Sequence, residues 1–262
     1  MSYISLIDLL TEKKNPFPFN VSSVKHCRNI NMDSPITFFI GDNGTGKSTL
    51  IETIAYRLQL PHMDGSDYSK KSFNASKSLL PYLKISFNID RPIGFFFRAE
   101  DFGDYLNSVD RRDFALHQSL SDLEGEVPDE IIQNMKDNAN YQMHHMRFEY
   151  GQELQSFSHG EAYMKIIQEK INRPGIYILD EPEAALSPAK QLSLIYFIQE
   201  HLKNYNSQFI IATHSPMLMA IPNSNIYEIN EDGMQLTPLD ETEHYSITKS
   251  FLNNPEIYLR HL

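Results

Sequence analysis

Cysteine is nearly missing from this chain: Cys27 stands alone among 262 residues. Disulfide scaffolds and cysteine zinc sites need more than one, so both are excluded, and a reducing cytoplasm is the expected setting. Long apolar runs are missing too. No stretch approaches the roughly 20 residues a membrane helix requires, so no membrane insertion is expected. Met1 to Leu10 has no basic segment ahead of its apolar residues and contains Asp8, unlike a secretory leader. Positive charge is scarce, with 23 Lys and Arg against 34 Asp and Glu and a net charge of −11. Non-specific nucleic-acid binders usually carry a basic face, and none shows globally. The most basic window holds Lys70, Lys71, Lys77, Lys84 and Arg91 and also reads as a solvated face. Any DNA contact is expected there, weak and salt-sensitive. Internal repeats, low-complexity segments and sustained heptads are absent, which rules out long coiled-coil arms.

What is present is concentrated. Gly41-Asp42-Asn43-Gly44-Thr45-Gly46-Lys47-Ser48-Thr49 fits G-x-x-x-x-G-K-[ST], a loop that cradles phosphates. Ile36 to Ile40 is an apolar run that predicts a buried strand before it. Ser48 to Leu60 predicts a helix after it, with Leu50, Ile51, Ile54, Ala55 and Leu58 at helical spacing. The glycines let the backbone curl and aim its N–H groups at a phosphate, where the helix N-terminus adds positive potential. Lys47 would reach the β- and γ-phosphates of ATP, and Ser48 would offer its hydroxyl to Mg²⁺.

Three further segments follow in order. Ile176-Tyr177-Ile178-Leu179-Asp180-Glu181-Pro182 is an apolar strand ending in two carboxylates. Asp180 at the strand tip suits a Mg²⁺ ligand, directly or through water. Glu181 projects differently and can face an attacking water as base or orienter. Ile210-Ile211-Ala212-Thr213-His214-Ser215 is a second apolar strand, ending in a histidine. Between the loop and these strands, Phe157-Ser158-His159-Gly160-Glu161 opens an amphipathic helix with Tyr163, Ile166, Ile167 and Ile171. Ser158 and Glu161 also form an S-x-x-E capping box, which is a plain helix start.

With these four motifs in this order the chain resembles the ABC-type P-loop ATPase superfamily, over about Phe17 to Asn230. In overall pattern it is similar to compact, stand-alone SMC/RecF-like bacterial ATPases often labelled "AAA family ATPase". The resemblance makes Ser158 and Gly160 part of a signature, with Phe157 at its Leu position. His159 replaces the first Gly, and Glu161 ends it as in the SMC and RecF branch. It makes His214 a switch histidine and Ala184 to Pro188 a D-loop, with Ser187 where many members have Asp. Phe17 or Phe19 lies where the family presents an aromatic to adenine, and both also suit a core. Glu100 lies near the Q-loop position, where it could position water or metal or be a surface carboxylate. Arg98 could reach a phosphate or form a salt bridge. His144-His145 has no partner set for a metal and reads as surface.

The expected fold is α/β: an ABC-ATPase-like head with a β-rich N-terminal lobe and a parallel-sheet core. Leu83 to Ile89 alternates and predicts a half-exposed antiparallel strand, with Ile93 to Phe97 a second strand of that lobe. A single domain spans 1–262, with an inserted helical subdomain over about 101–157, broken at Pro128. Pro188, Leu192, Ile195, Tyr196 and Leu202 mark a helix. Ile226 to Ile229 and Met234 to Leu236 predict a hairpin. A helical tail is expected from Ser246. The absence of Cys-x-x-Cys excludes a zinc hook. By resemblance the protein should be an ATPase acting as a two-fold head-to-tail homodimer with two ATP molecules buried between subunits. The output expected is a switch for a protein effector or a nucleic-acid process. A nucleotide-binding transporter subunit is the alternative, and a P-loop small-molecule kinase ranks last.

Overall fold

A computed structural model describes residues 2–11, 15–62, 73–88, 93–103, 105, 127–128 and 159–260. The chain folds as two compact units, Met1–Ala99 with Ile171–Leu262, and Glu100–Lys170. The first carries β1 (Ile4–Leu9), β2 (Ile30–Asn31), β3 (Ile36–Gly41), β4 (Leu83–Phe87) and β5 (Gly94–Arg98). It continues with β6 (Ile176–Asp180), β7 (Gln208–Ala212), β8 (Ser224–Ile229) and β9 (Met234–Leu236). Its helices include α1 (Ser22–His26), α2 (Lys47–Leu58) and α3 (Asn74–Leu79). In the second unit α4 (His159–Lys170) is described, and Phe102 meets Tyr163 edge to face with ring centroids 5.2 Å apart. Most of the segment expected as a helical insert, 101–157, lies outside the described residues.

Two sheets make up the first unit. The larger runs β5-β6-β7-β3-β8-β9, parallel except for the antiparallel β8–β9 pair. Every residue of β3, β6 and β7 is buried, which is why their sequences are continuous apolar runs instead of alternating ones. Thr37 of β3 and Ile178 of β6 both lie opposite Ile210 of β7, so the three strands end along one edge. The smaller sheet, β2-β1-β4, is antiparallel. β4 is antiparallel and partly exposed as expected, but the alternation holds only at its start: Leu83 is buried and Ile85 half-buried, while Phe87 is exposed.

The sheets are stitched by one buried amide. Gln208 Oε1 accepts from the Ile4 backbone N–H at 2.8 Å, and Gln208 Nε2 donates to the Ile4 carbonyl at 3.1 Å. A polar side chain buried this deeply is tolerable only because its hydrogen-bonding groups are used. Against the larger sheet packs α2, whose Leu50, Ile51, Ile54 and Ala55 are fully buried. Each of the large ones contributes about 1.5–3 kcal/mol of burial.

Two expectations differ from the structure. The strand expected over Ile93 to Phe97 is β5, and it belongs to the larger sheet, paired in parallel with β6. The helix after Pro188 is α5 (Pro188–Asn204), but it buries Leu194, Ile198 and His201, while Tyr196 is 66% exposed. Apolar residues surround this helix, so spacing alone does not choose its inward face. The remaining helices are α6 (Pro216–Met219), α7 (Glu243–Asn253) and α8 (Pro255–Leu259), the last two forming the expected tail. In the basic window, Lys84 is exposed and Lys77 half-buried, while Lys70, Lys71 and Arg91 lie outside the described residues.

Candidate functional site

The loop after β3 is shaped by its glycines. Gly46 has φ +88, and a Cβ there would sit 2.5 Å from both Ser23 Oγ and Val21 Cγ2. Any side chain would meet both a strained backbone and a filled space. α1 braces this loop from behind: Ser23 Oγ donates to the Gly46 carbonyl at 2.8 Å, and the Ser23 N–H to the Thr45 carbonyl at 2.9 Å. Thr45 Oγ1 donates to the Asp42 carbonyl at 2.8 Å. Gly44, at φ +85, faces open space. The loop borders a cavity of about 240 Å³ lined by Phe17, Asn43, Gly44, Lys47, Thr49 and Glu181, among others.

Lys47 is buried at the first position of α2 and donates its Nζ to the loop's own carbonyls, Gly41 at 2.8 Å and Asp42 at 3.0 Å. Burial pushes its pKa below the ordinary lysine value, against the carboxylates of Glu181, Asp180, Asp42 and Glu183, which raise it. A ligand phosphate would supply the anionic partner that two carbonyls only approximate.

Asp180 ends β6 and is 2% exposed. Ser48 Oγ donates to its Oδ1 at 3.1 Å. The β5–β6 register sets Arg98 directly opposite Asp180, with Nε 3.7 Å from Oδ2. Arg98 also pairs with Glu52 of α2, whose Oε2 accepts from Ser76 Oγ of α3 at 2.9 Å. Phe73 and Phe96 lie under the guanidinium at 5.6 and 5.8 Å. A chain of buried and partly buried groups therefore runs from Ser76 through Glu52 and Arg98 to Asp180 and Ser48.

Glu181 is built differently. Its φ is +48, an uncommon conformation for a residue with a side chain, held by its N–H donating to the Ala212 carbonyl at 2.9 Å. Its side chain is 38% exposed and lines the loop cavity. His214 follows the end of β7, and its Nε2 lies 3.6 Å from Glu181 Oε1. Burial lowers the His214 pKa below the usual histidine range, and the Lys47 charge adds to this, with Glu181 opposing. The His214 backbone N–H donates to Glu183 Oε1 at 2.6 Å, and burial raises the Glu183 pKa.

The structure thus gathers Lys47, Ser48, Asp180, Glu181 and His214 at the ends of three adjacent strands. Such an edge of an open α/β sheet is where ligands bind. Residues the sequence reading passed over are Ser23, Glu52 and Glu183. Only Glu183 had a visible signal, as the second Glu of Asp180-Glu181-Pro182-Glu183. Arg98 forms ion pairs, the second of the two options its sequence left open. Phe17 borders the cavity, whereas Phe19 is buried edge to face against Tyr82. Ser158 and Phe157 lie outside the described residues, as does His144-His145. Gly160 is in the first turn of α4, Glu100 is exposed in the turn Ala99–Asp101, and Ser187 precedes α5 as its N-cap.

The donor set fits a magnesium nucleotide. Magnesium commonly takes one or two carboxylates beside substrate phosphates and waters, and the paired Ser48 hydroxyl and Asp180 carboxylate match that pattern. Among the described residues no group of three or more His, Cys, Asp or Glu forms an all-protein cage.

The comparisons agree with this class. Residues 77–220, more than half of the chain, match the AAA_21 family, described as "AAA domain, putative AbiEii toxin, Type IV TA system". The nisin transport ATP-binding protein NisT of Lactococcus lactis subsp. lactis is 29% identical over 216 residues. That alignment takes in 79% of this chain but 33% of NisT, so the chain spans about one third of that relative. The structure of cbiO1 from Clostridium perfringens, part of the ABC transporter complex cbiONQ, has a TM-score of 0.52 over 100% of both chains at 19% identity. A SmcHead bound to the C-winged helix domain of ScpA has a TM-score of 0.51 at 15% identity, over 90% of this chain and 97% of that one. At these identities the structural likeness is one of fold. Sheet, loop and strand-end carboxylates define an ATP-binding P-loop ATPase of the ABC/SMC type. The chain belongs to the AAA_21 family.

Proposed function

We propose that the protein binds Mg-ATP and hydrolyses it as an ATP-dependent head-to-tail homodimer, a cytoplasmic switch read by a protein effector or a nucleic-acid process. The observation that carries this is the convergence of Lys47, Ser48, Asp180, Glu181 and His214 along one sheet edge. Backbone N–H groups from Gly41 to Thr49 hold the phosphates, and Lys47 leaves its two carbonyls for the β- and γ-phosphates. Ser48 and Asp180 would hold Mg²⁺, whose charge would there offset the negative charge that builds on the phosphate oxygens. Glu181 takes a proton from the attacking water, and His214, 3.6 Å away, orients that carboxylate. Phe17 offers its face to the adenine. Ser158 and Gly160 of one subunit close over the γ-phosphate held by the other, so the closed dimer is stabilised by contacts that hydrolysis removes.

The transporter-subunit reading draws support from the likeness to NisT. No helix among the described residues is long and apolar enough to cross a membrane. A small-molecule kinase would need neither the signature nor His214. Direct DNA binding is assigned a minor part, because the net charge is −11.

Light scattering tests the switch. Glu181→Gln with Mg-ATP should run at twice the mass of its apo form. Ser158→Arg, added to it, should abolish the shift by placing a bulky cation at the partner's γ-phosphate. Equal masses with and without ATP in both variants would rule out the trans-signature dimer. Crosslinking in cells that captures a permease would favour the transporter reading.

A further inference from the structure

His214 does not stand alone against Glu181. His244, near the start of α7, places its Nε2 3.1 Å from His214 Nδ1, with the two ring centroids 5.2 Å apart. The turn that carries His244 is anchored on both sides. Thr242 is fully buried and its Oγ1 donates to the Leu239 carbonyl at 2.8 Å, while the Glu243 N–H donates to Glu228 Oε1 of β8 at 3.1 Å. The ring is therefore delivered by a tied-down helix start, not by a free side chain.

The pair must share one proton between its facing nitrogens. If His214 Nδ1 held it, His214 Nε2 would turn a lone pair toward the Glu181 carboxylate, 3.6 Å away. If His244 Nε2 holds it, His214 carries its hydrogen on Nε2, facing that carboxylate with an N–H. The second arrangement is electrostatically favoured. It also agrees with a His214 that burial and Lys47 keep neutral. A neutral histidine needs a donor on its far nitrogen to hold this tautomer.

We infer that His244 is a positioning residue: its Nε2–H donates to His214 Nδ1 and fixes His214 as the Nε2–H tautomer aimed at Glu181. This rests on the ATPase reading of the site for its consequence, but its geometry is a property of the protein without nucleotide. α7 thereby reaches the reaction site through one hydrogen bond, although no residue of α7 lines the loop cavity.

Two measurements decide it. Imidazole nitrogen NMR on the nucleotide-free protein should show His214 protonated at Nε2. His244→Phe, which keeps the ring's bulk and removes the donor, should shift His214 toward a mixture of tautomers. His244→Gln, whose amide can donate from nearly the same place, should restore the wild-type pattern. In steady-state ATPase assays His244→Phe should lower kcat about tenfold with KM for ATP little changed, the scale of one lost hydrogen bond. His244→Gln should recover most of that loss, and His244→Phe should add nothing in a His214→Ala background. A wild-type His214 protonated at Nδ1, or a His214 signal unmoved by His244→Phe, would overturn the inference, as would an unchanged kcat. A wild-type protein without ATPase activity would instead sink the ATPase reading, and the NMR result would still decide the hydrogen bond.

Discussion

Asp180 and Glu181 are neighbours in the chain and opposites in the fold. Asp180 is interlocked, with Ser48 on one oxygen and Arg98 near the other, and Arg98 itself paired to Glu52. Glu181 is half open, carried on a left-handed backbone, with His214 Nε2 3.6 Å from its Oε1. On the proposed function, the side that would hold the metal is thus preassembled by the core, while the side that would carry out hydrolysis stays accessible to water and to a second subunit. Low-dielectric burial makes the first side rigid and costly to disturb. Exposure makes the second cheap to alter structurally and expensive to alter chemically.

Variants should separate the two sides. Glu181→Gln should keep ATP binding and folding while turnover falls about 10²–10⁴-fold, the usual loss with a general base. Single-turnover hydrolysis alongside equilibrium ATP binding would check it, and near-normal turnover would place the base elsewhere. Arg98→Met should do the reverse and act first on the fold. It leaves the buried Glu52 unpaired, which costs about 3 kcal/mol, read as a lower denaturant midpoint. Lys47→Ala should weaken ATP about 100-fold by calorimetry, the worth of a charge-assisted contact, with stability little changed. Unaltered affinity there would remove the phosphate-loop assignment.

The smallest effect expected is on the pH dependence of stability. His201 is buried, its Nε2 2.9 Å from Ser207 Oγ, and burial lowers its pKa. His214 is shifted in the same direction. Below an unfolded-state pKa of about 6.5, the unfolded chain binds the proton more readily than the folded one, so stability is lost on acidification. Melting temperature should fall from pH ~7 to ~5.5, and His201→Gln should flatten that slope without touching turnover. A slope unchanged in His201→Gln would assign the effect to other groups.

Legibility in the sequence followed the range of the interactions. The phosphate loop could be read because its partners are local: Lys47 Nζ bonds Gly41, Thr45 bonds Asp42, and the glycines are demanded by the loop's own φ angles. The core face of α2 was readable from its 3.6-residue period, and the β8–β9 hairpin from its turn residues. α5 was readable as a helix but not in its orientation, since Leu192 and Tyr196 are as apolar as the residues it buries.

The residue sequence by itself determined the chemistry on offer: one phosphate loop, two strand-end carboxylates and a strand-end histidine, each specified by a few consecutive residues. Only the tertiary structure decided which of them meet. β3, β6 and β7 are buried on both faces, so their uniform apolar sequences hold no signal for which strand neighbours which. Strand order then brought Ser48 to Asp180 across 132 residues, set Arg98 opposite Asp180, and left His214 within reach of His244, 30 residues on. Those contacts depend on register and burial, which exist only once the sheet has closed around them.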